Sequence, residues 1–161
     1  VSNQNSDHTI QGANAPRLKL GAGRLGAFDP AAIAKAEAAL KSLSGNFAQW
    51  LQDEVAKLEA AREGVRVEGA TPQTLESLYM RAHDLKGLGT TYGYPLITRI
   101  AASLCKLTDD AEKRSRAPMP LIDSHIEAIR AAVRDEIKTD EHPTGRQLAE
   151  ELEKRVQDAL A

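Results

Sequence analysis

A histidine, a lysine three residues on and a glycine directly after it stand together in residues 80–93, as His83, Lys86 and Gly87. A neutral imidazole nitrogen is a nucleophile able to form a covalent intermediate, and histidine changes charge near neutral pH. The ammonium of Lys86 can offset part of the negative charge that a phosphoryl group brings to the ring. A glycine inside a helix costs roughly 1 kcal/mol relative to alanine. No turn is due at Gly87, so close approach of another molecule is the reason for it that the pattern offers.

These residues must share a surface for that chemistry to work. At the helical repeat, Leu75, Leu78, Ala82, Leu85 and Gly89 fall on one narrow face, which is the expected buried stripe. Met80 and Gly87 lie nearly opposite it, and His83 about 130° round, towards solvent. Lys86 sits nearer the boundary, one turn along from His83. Gly89, on the apolar face, reads as a packing glycine.

The elements that carry this stretch are helices. The 161 residues hold 42% hydrophobic and 27% charged side chains, with two Phe, one Trp and three Tyr. Scarce aromatics and abundant Ala and Leu favour helices over sheet, and no run alternates at period two. Asp29 followed by Pro30 is an N-cap with proline at the first helical position. A first helix is expected to about Leu43, interrupted or kinked at Ser44 and Gly45, and a second from about Asn46 to Glu63. A third runs from the Thr71–Pro72 start to about Thr90, and Tyr92-Gly93-Tyr94-Pro95 turns the chain. A fourth spans about Leu96 to Asp110. Residues 113–120 read as a loop, and a fifth helix covers about Leu121 to Lys138. After a break at residues 142–145, a charged final helix covers about Arg146 to Leu160.

The expected fold is all-α. It is an antiparallel up-and-down four-helix bundle with an additional N-terminal helix and a peripheral C-terminal helix. Residues 1–28 read as a flexible tail and 29–161 as one helical domain, with the bundle core at about 45–138. Gly21-Ala22-Gly23-Arg24-Leu25-Gly26 matches a dinucleotide-loop pattern, but no strand precedes it and no helix opens directly after it.

A net charge of −2 makes no electrostatic case for nucleic acid or an anionic membrane. No apolar run is long enough to span a bilayer, and residues 1–15 lack the apolar core of a signal peptide. Cys105 is the single cysteine and fits a reducing compartment, so a cytoplasmic location is expected. A metal site in a helical bundle wants Glu-x-x-His pairs, but Met80 precedes His83 by three and Ile122 precedes His125 by three. His125 and His142 read as surface residues, and His8 lies in the tail. No phosphate-binding loop is present in the right context, so the chain reads as a carrier without an ATP site rather than a turnover enzyme.

The segment Ala82-His83-Asp84-Leu85-Lys86-Gly87, with Gly93 downstream, resembles the Ala-His-x-Leu-Lys-Gly motif of histidine-containing phosphotransfer (HPt) domains. The likeness covers roughly residues 45–138. It implies a four-helix bundle with an exposed phosphorylatable histidine in a two-component phosphorelay. His83 would exchange a phosphoryl group with aspartates of response-regulator receiver domains, or a hybrid histidine kinase carrying one. Lys86 would steady the charge, and Gly87, with Met80, Asp84 and Thr90 around it, would meet the partner. No cofactor is implied beyond Mg2+ in the receiver partner. Where the family often has a Glu or Gln that orients the imidazole, an ungapped alignment places Cys105, which hydrogen-bonds only weakly. The residues taken alone also fit a small apolar role for Cys105 at a helix interface.

Three alternatives remain at this level: the phosphotransfer segment of a larger chemotaxis-type histidine kinase, a non-catalytic helical docking bundle, and a dimeric bundle built from two hairpins. The number of helices is already enough for one complete bundle, which favours a monomer.

Overall fold

A computed structural model describes residues 29–161. The tail assigned to residues 1–28, with its glycine pattern and His8, lies outside them. The described residues are all-helical and contain no strand. Six helices follow in order: α1 (Pro30–Glu68), α2 (Pro72–Thr91), α3 (Pro95–Thr108), α4 (Ala111–Arg116), α5 (Met119–Arg134) and α6 (Pro143–Leu160). The chain divides after Glu37, and Ala38–Ala161 form one compact unit. On the other side of that division, the first turn of α1 is capped by Asp29, whose Oδ1 accepts from the Ala31 N–H at 3.1 Å.

α1 departs from the expected pair of helices. The sequence places an interruption or kink at Ser44 and Gly45; the helix is not interrupted there and continues through both and through Gly64. A single glycine forfeits only about 1 kcal/mol, which the surrounding Ala- and Leu-rich sequence tolerates. Leu51, Val55, Leu58 and Val65 bury one stripe of this helix. It is tied to α5 by the Arg62–Asp123 ion pair (Nη2 to Oδ2, 3.0 Å) and by Arg130 Nε to Glu59 Oε1 at 2.7 Å.

α3 is the central helix, packing against α2, α5 and α6. Ile97, Ile100, Ala101, Leu104 and Leu107 are essentially inaccessible to solvent, as apolar residues facing several packed helices are. Residues 113–120, read as a loop, instead hold most of α4 and the first two residues of α5; α4 is started by Asp110, whose Oδ1 accepts from the Lys113 N–H at 2.7 Å. The final helix is not peripheral. α6 packs on α3 and α5 and places Ala149, Leu152 and Val156 in the core. A Cβ on Gly145 would lie 2.9 Å from both Ile137 Cγ2 and Leu96 Cδ2, so glycine lets the start of α6 approach. Arg99 then joins α3 to α6 through Glu153 at 2.7 Å, with Asp140 at 3.1 Å.

His125, read as a surface residue, is fully buried. Its Nδ1–H donates to the Leu121 carbonyl at 2.7 Å, which leaves the Nε2 lone pair to accept from Ser103 Oγ–H at 3.0 Å. Both polar groups are therefore satisfied inside the core. Burial holds the ring's pKa below its ordinary value of 6.5.

Candidate functional site

α2 begins where the sequence places it. Thr71 and Thr74 form a reciprocal cap, with Thr71 Oγ1 accepting from the Thr74 N–H at 3.2 Å and Thr74 Oγ1 from the Thr71 N–H at 3.0 Å. Pro72 occupies the first helical position, where no amide hydrogen is required. From that start the helical repeat buries Leu75, Leu78, Ala82, Leu85 and Gly89. At the other end, the Tyr92 N–H donates to Leu88 O and the Gly93 N–H to Thr90 O, at 2.9 and 3.0 Å. Gly93 has φ of 85°, a conformation that favours glycine.

The register so fixed leaves His83, Lys86, Gly87 and Thr90 exposed and Asp84 half-exposed. Met80 is 49% exposed, a large apolar side chain beside the histidine. Asp84 pairs loosely with Arg81, Nη1 to Oδ2 at 3.7 Å. Thr90 is tied to α3, since Thr98 Oγ1 accepts from its N–H at 2.8 Å and meets its hydroxyl at 3.1 Å. Lys86 makes no ion pair with a described carboxylate. The His83 imidazole has one aromatic neighbour, Tyr79, one turn earlier, at a centroid separation of 6.0 Å and a tilt of 51°.

Gly87 and Gly89 answer different demands. A Cβ at Gly87 would meet nothing within 4 Å, so the packing of the described residues does not require glycine there. A Cβ at Gly89 would lie 2.6 Å from Thr98 Oγ1, 2.7 Å from Thr98 N and 3.0 Å from Tyr94 O. Two of those three atoms belong to backbone, so α2 and α3 could not cross this closely with any larger residue.

Cys105 is buried on α3. Burial pushes its thiol up to about 11, with the positive charge of Lys86 drawing it partly back and Asp109 opposing. The thiol therefore stays protonated at neutral pH and is a poor nucleophile. No described residue hydrogen-bonds the His83 ring, Cys105 included. Among the described residues, no group of three or more His, Cys, Asp or Glu side chains is placed to hold a metal ion. None of the described helices is long and apolar enough to cross a membrane.

Two features of the described residues are not among those the sequence singles out. Arg114 of α4 lies with its Cζ 5.3 Å from the centroid of the Tyr79 ring. The signal for Tyr79 was its place four residues before His83, which puts both rings on one face. Arg114 gave none, because α4 itself was unforeseen. The second feature is an aromatic cluster of Phe47, Trp50 and Tyr92, with centroids 5.6 to 6.0 Å apart, in which Trp50 is 45% exposed. Comparison of the chain with protein-family models, with curated proteins and with solved structures gives no match.

Proposed function

We propose that the protein is a histidine phosphotransfer protein of a two-component phosphorelay, carrying a phosphoryl group on His83. The observation that carries the reading is the exposed trio on α2. A solvent-facing imidazole stands beside an ammonium that pairs with no described carboxylate and a glycine that the packing of the described residues does not need. In this reading α1, α2, α3 and α5 are the four-helix bundle that presents the histidine. The partner is a receiver domain, alone or within a hybrid kinase, the carrier acts as a cytoplasmic monomer, and Mg2+ belongs to the partner.

The step is in-line exchange between two side chains. The lone pair of a neutral imidazole nitrogen forms the N–P bond as the P–O bond of the partner's aspartyl phosphate breaks, and the carboxylate leaves with the bonding pair. The Lys86 ammonium offsets charge on the transferred group. The missing side chain at Gly87 lets the partner's active site reach the ring. The chain supplies position and charge, and the reaction is reversible.

The test is incubation with a phosphorylated receiver domain and a search for acid-labile label on this protein. Label on the wild type and none on His83→Gln is the expected result; label undiminished in His83→Gln would sink the assignment. The half-buried Phe47–Trp50–Tyr92 cluster, with Trp50 exposed, favours a second reading, a docking bundle that carries no phosphoryl group. Receiver binding that survives His83→Gln with no label ever transferred would select it.

A further inference from the structure

Arg114 differs from the other basic residues of α4. Lys113 pairs with Asp109 and Asp110, and Arg116 with Glu112, whereas Arg114 pairs with no described carboxylate. Its Nη1 donates to the carbonyl of Thr108, the last residue of α3, at 3.0 Å. A guanidinium has five N–H donors, so that bond leaves most of them available. The Tyr79 ring beneath it is the same ring that lies 6.0 Å from the His83 imidazole. The guanidinium can be no farther from the imidazole than the sum of those two lengths. These two contacts on one ring place Arg114, on a long and rotatable side chain, in the neighbourhood of His83.

We propose that Arg114 is a second anion-binding group of the His83 site. It rests on Tyr79 while the imidazole is bare and turns its free donors to a phosphoryl group carried there. The proposal rests on reading His83 as the phosphoryl acceptor. A phosphoryl group adds nearly two negative charges and three acceptor oxygens, and the planar guanidinium fork matches two of them at once. Lys86 supplies a compact charge from α2 itself. Arg114 adds directional hydrogen bonds from a different element.

The experiment needs no receiver domain. Phosphoramidate can modify the imidazole directly. The ring nitrogen's lone pair forms the N–P bond, the donor's P–N bond breaks, and ammonia leaves, completed by the proton that the ring's other nitrogen gives up. With His83→Gln as the control for position, the Nε–H resonance of Arg114 is followed by nitrogen-15 NMR in the wild-type protein. A shift on phosphorylation, with slowed solvent exchange, is expected. An unmoved resonance would overturn the proposal, because a residue that only caps α3 has no reason to respond. Arg114→Ala should shorten the phosphohistidine lifetime about threefold, as loss of one charge-assisted contact at a partly exposed site implies. Tyr79→Leu, which keeps the cation and removes its perch, should fall between. An unchanged lifetime in Arg114→Ala would likewise contradict the proposal. If a receiver domain fails to transfer while Arg114 still responds to chemically made phosphohistidine, the relay reading falls and this inference stands. If even phosphoramidate leaves His83 unmodified, both fall.

Discussion

His83 and His125 make opposite use of the same ring. His125 is sealed between α3 and α5 with both nitrogens bonded, and burial disfavours its charged form. His83 is exposed on α2, with Tyr79 its one aromatic neighbour among the described residues. The glycines of α2 repeat the contrast two residues apart, Gly89 filling a contact that admits no side chain and Gly87 facing open space. One face of α2 is thus fixed by packing. The other carries residues that packing does not explain, and those are where a function is to be sought.

The contrast can be broken from its buried side first. Gly89→Val should cost about 3 kcal/mol or prevent folding, because it drives α2 and α3 apart at Thr98, and urea unfolding reads the loss. His125→Leu should cost about 2 kcal/mol by leaving Ser103 without its acceptor in the core. His125 also ties stability to pH. Its folded pKa lies below 6.5, so its contribution is complete above 6.5 and is lost as pH falls from there through the depressed folded value. Over that window the unfolded chain takes a proton that the folded one refuses. The acid-side slope of stability should therefore be shallower in His125→Leu, and equal slopes would contradict the assignment.

The exposed side should respond the other way. Gly87→Ala should stabilise the protein by about 0.5–1 kcal/mol, since the helix gains and nothing is struck. Gly87→Glu should keep the fold yet block phosphoryl transfer, and transfer at the normal rate would refute a clearance role. Lys86→Ala should slow transfer or shorten the phosphohistidine lifetime while partner binding largely remains; if neither moves, Lys86 is an ordinary charged flank. Cys105, held as a thiol by a pKa of about 11, should resist alkylation at pH 8 until the protein unfolds.

α2 was the most legible element from sequence, because its caps, its apolar repeat and its turn all point one way. Its buried stripe, its start at Pro72 and the roles of Gly89 and Gly93 follow from spacing and backbone chemistry. His125 reads as a surface residue because histidine is polar, although Leu121 and Ala128 flank it on one side of the helical wheel and Ile122 and Ile129 on the other, which puts it mid-stripe. The angle was the better guide. α6 hid its role behind charge: only Gly145, Ala149, Leu152 and Val156 face in, at spacings of three and four, and the rest of the helix is polar. The Ser44–Gly45 interruption failed because glycine lowers helix propensity without forbidding the helix. Arg114 was out of reach, since its neighbour Tyr79 lies far away in sequence and meets it only through the packing of α4 on α2.

The account stands most directly on where a phosphoryl group goes. The protein should be mixed with a phosphorylated receiver domain, digested at neutral to alkaline pH and mapped by mass spectrometry. The account predicts one added phosphoryl group, on the peptide carrying His83, lost on brief acid treatment and absent from His83→Gln. A phosphoryl group found on another residue, or none in the wild type while the receiver stays bound, would contradict it.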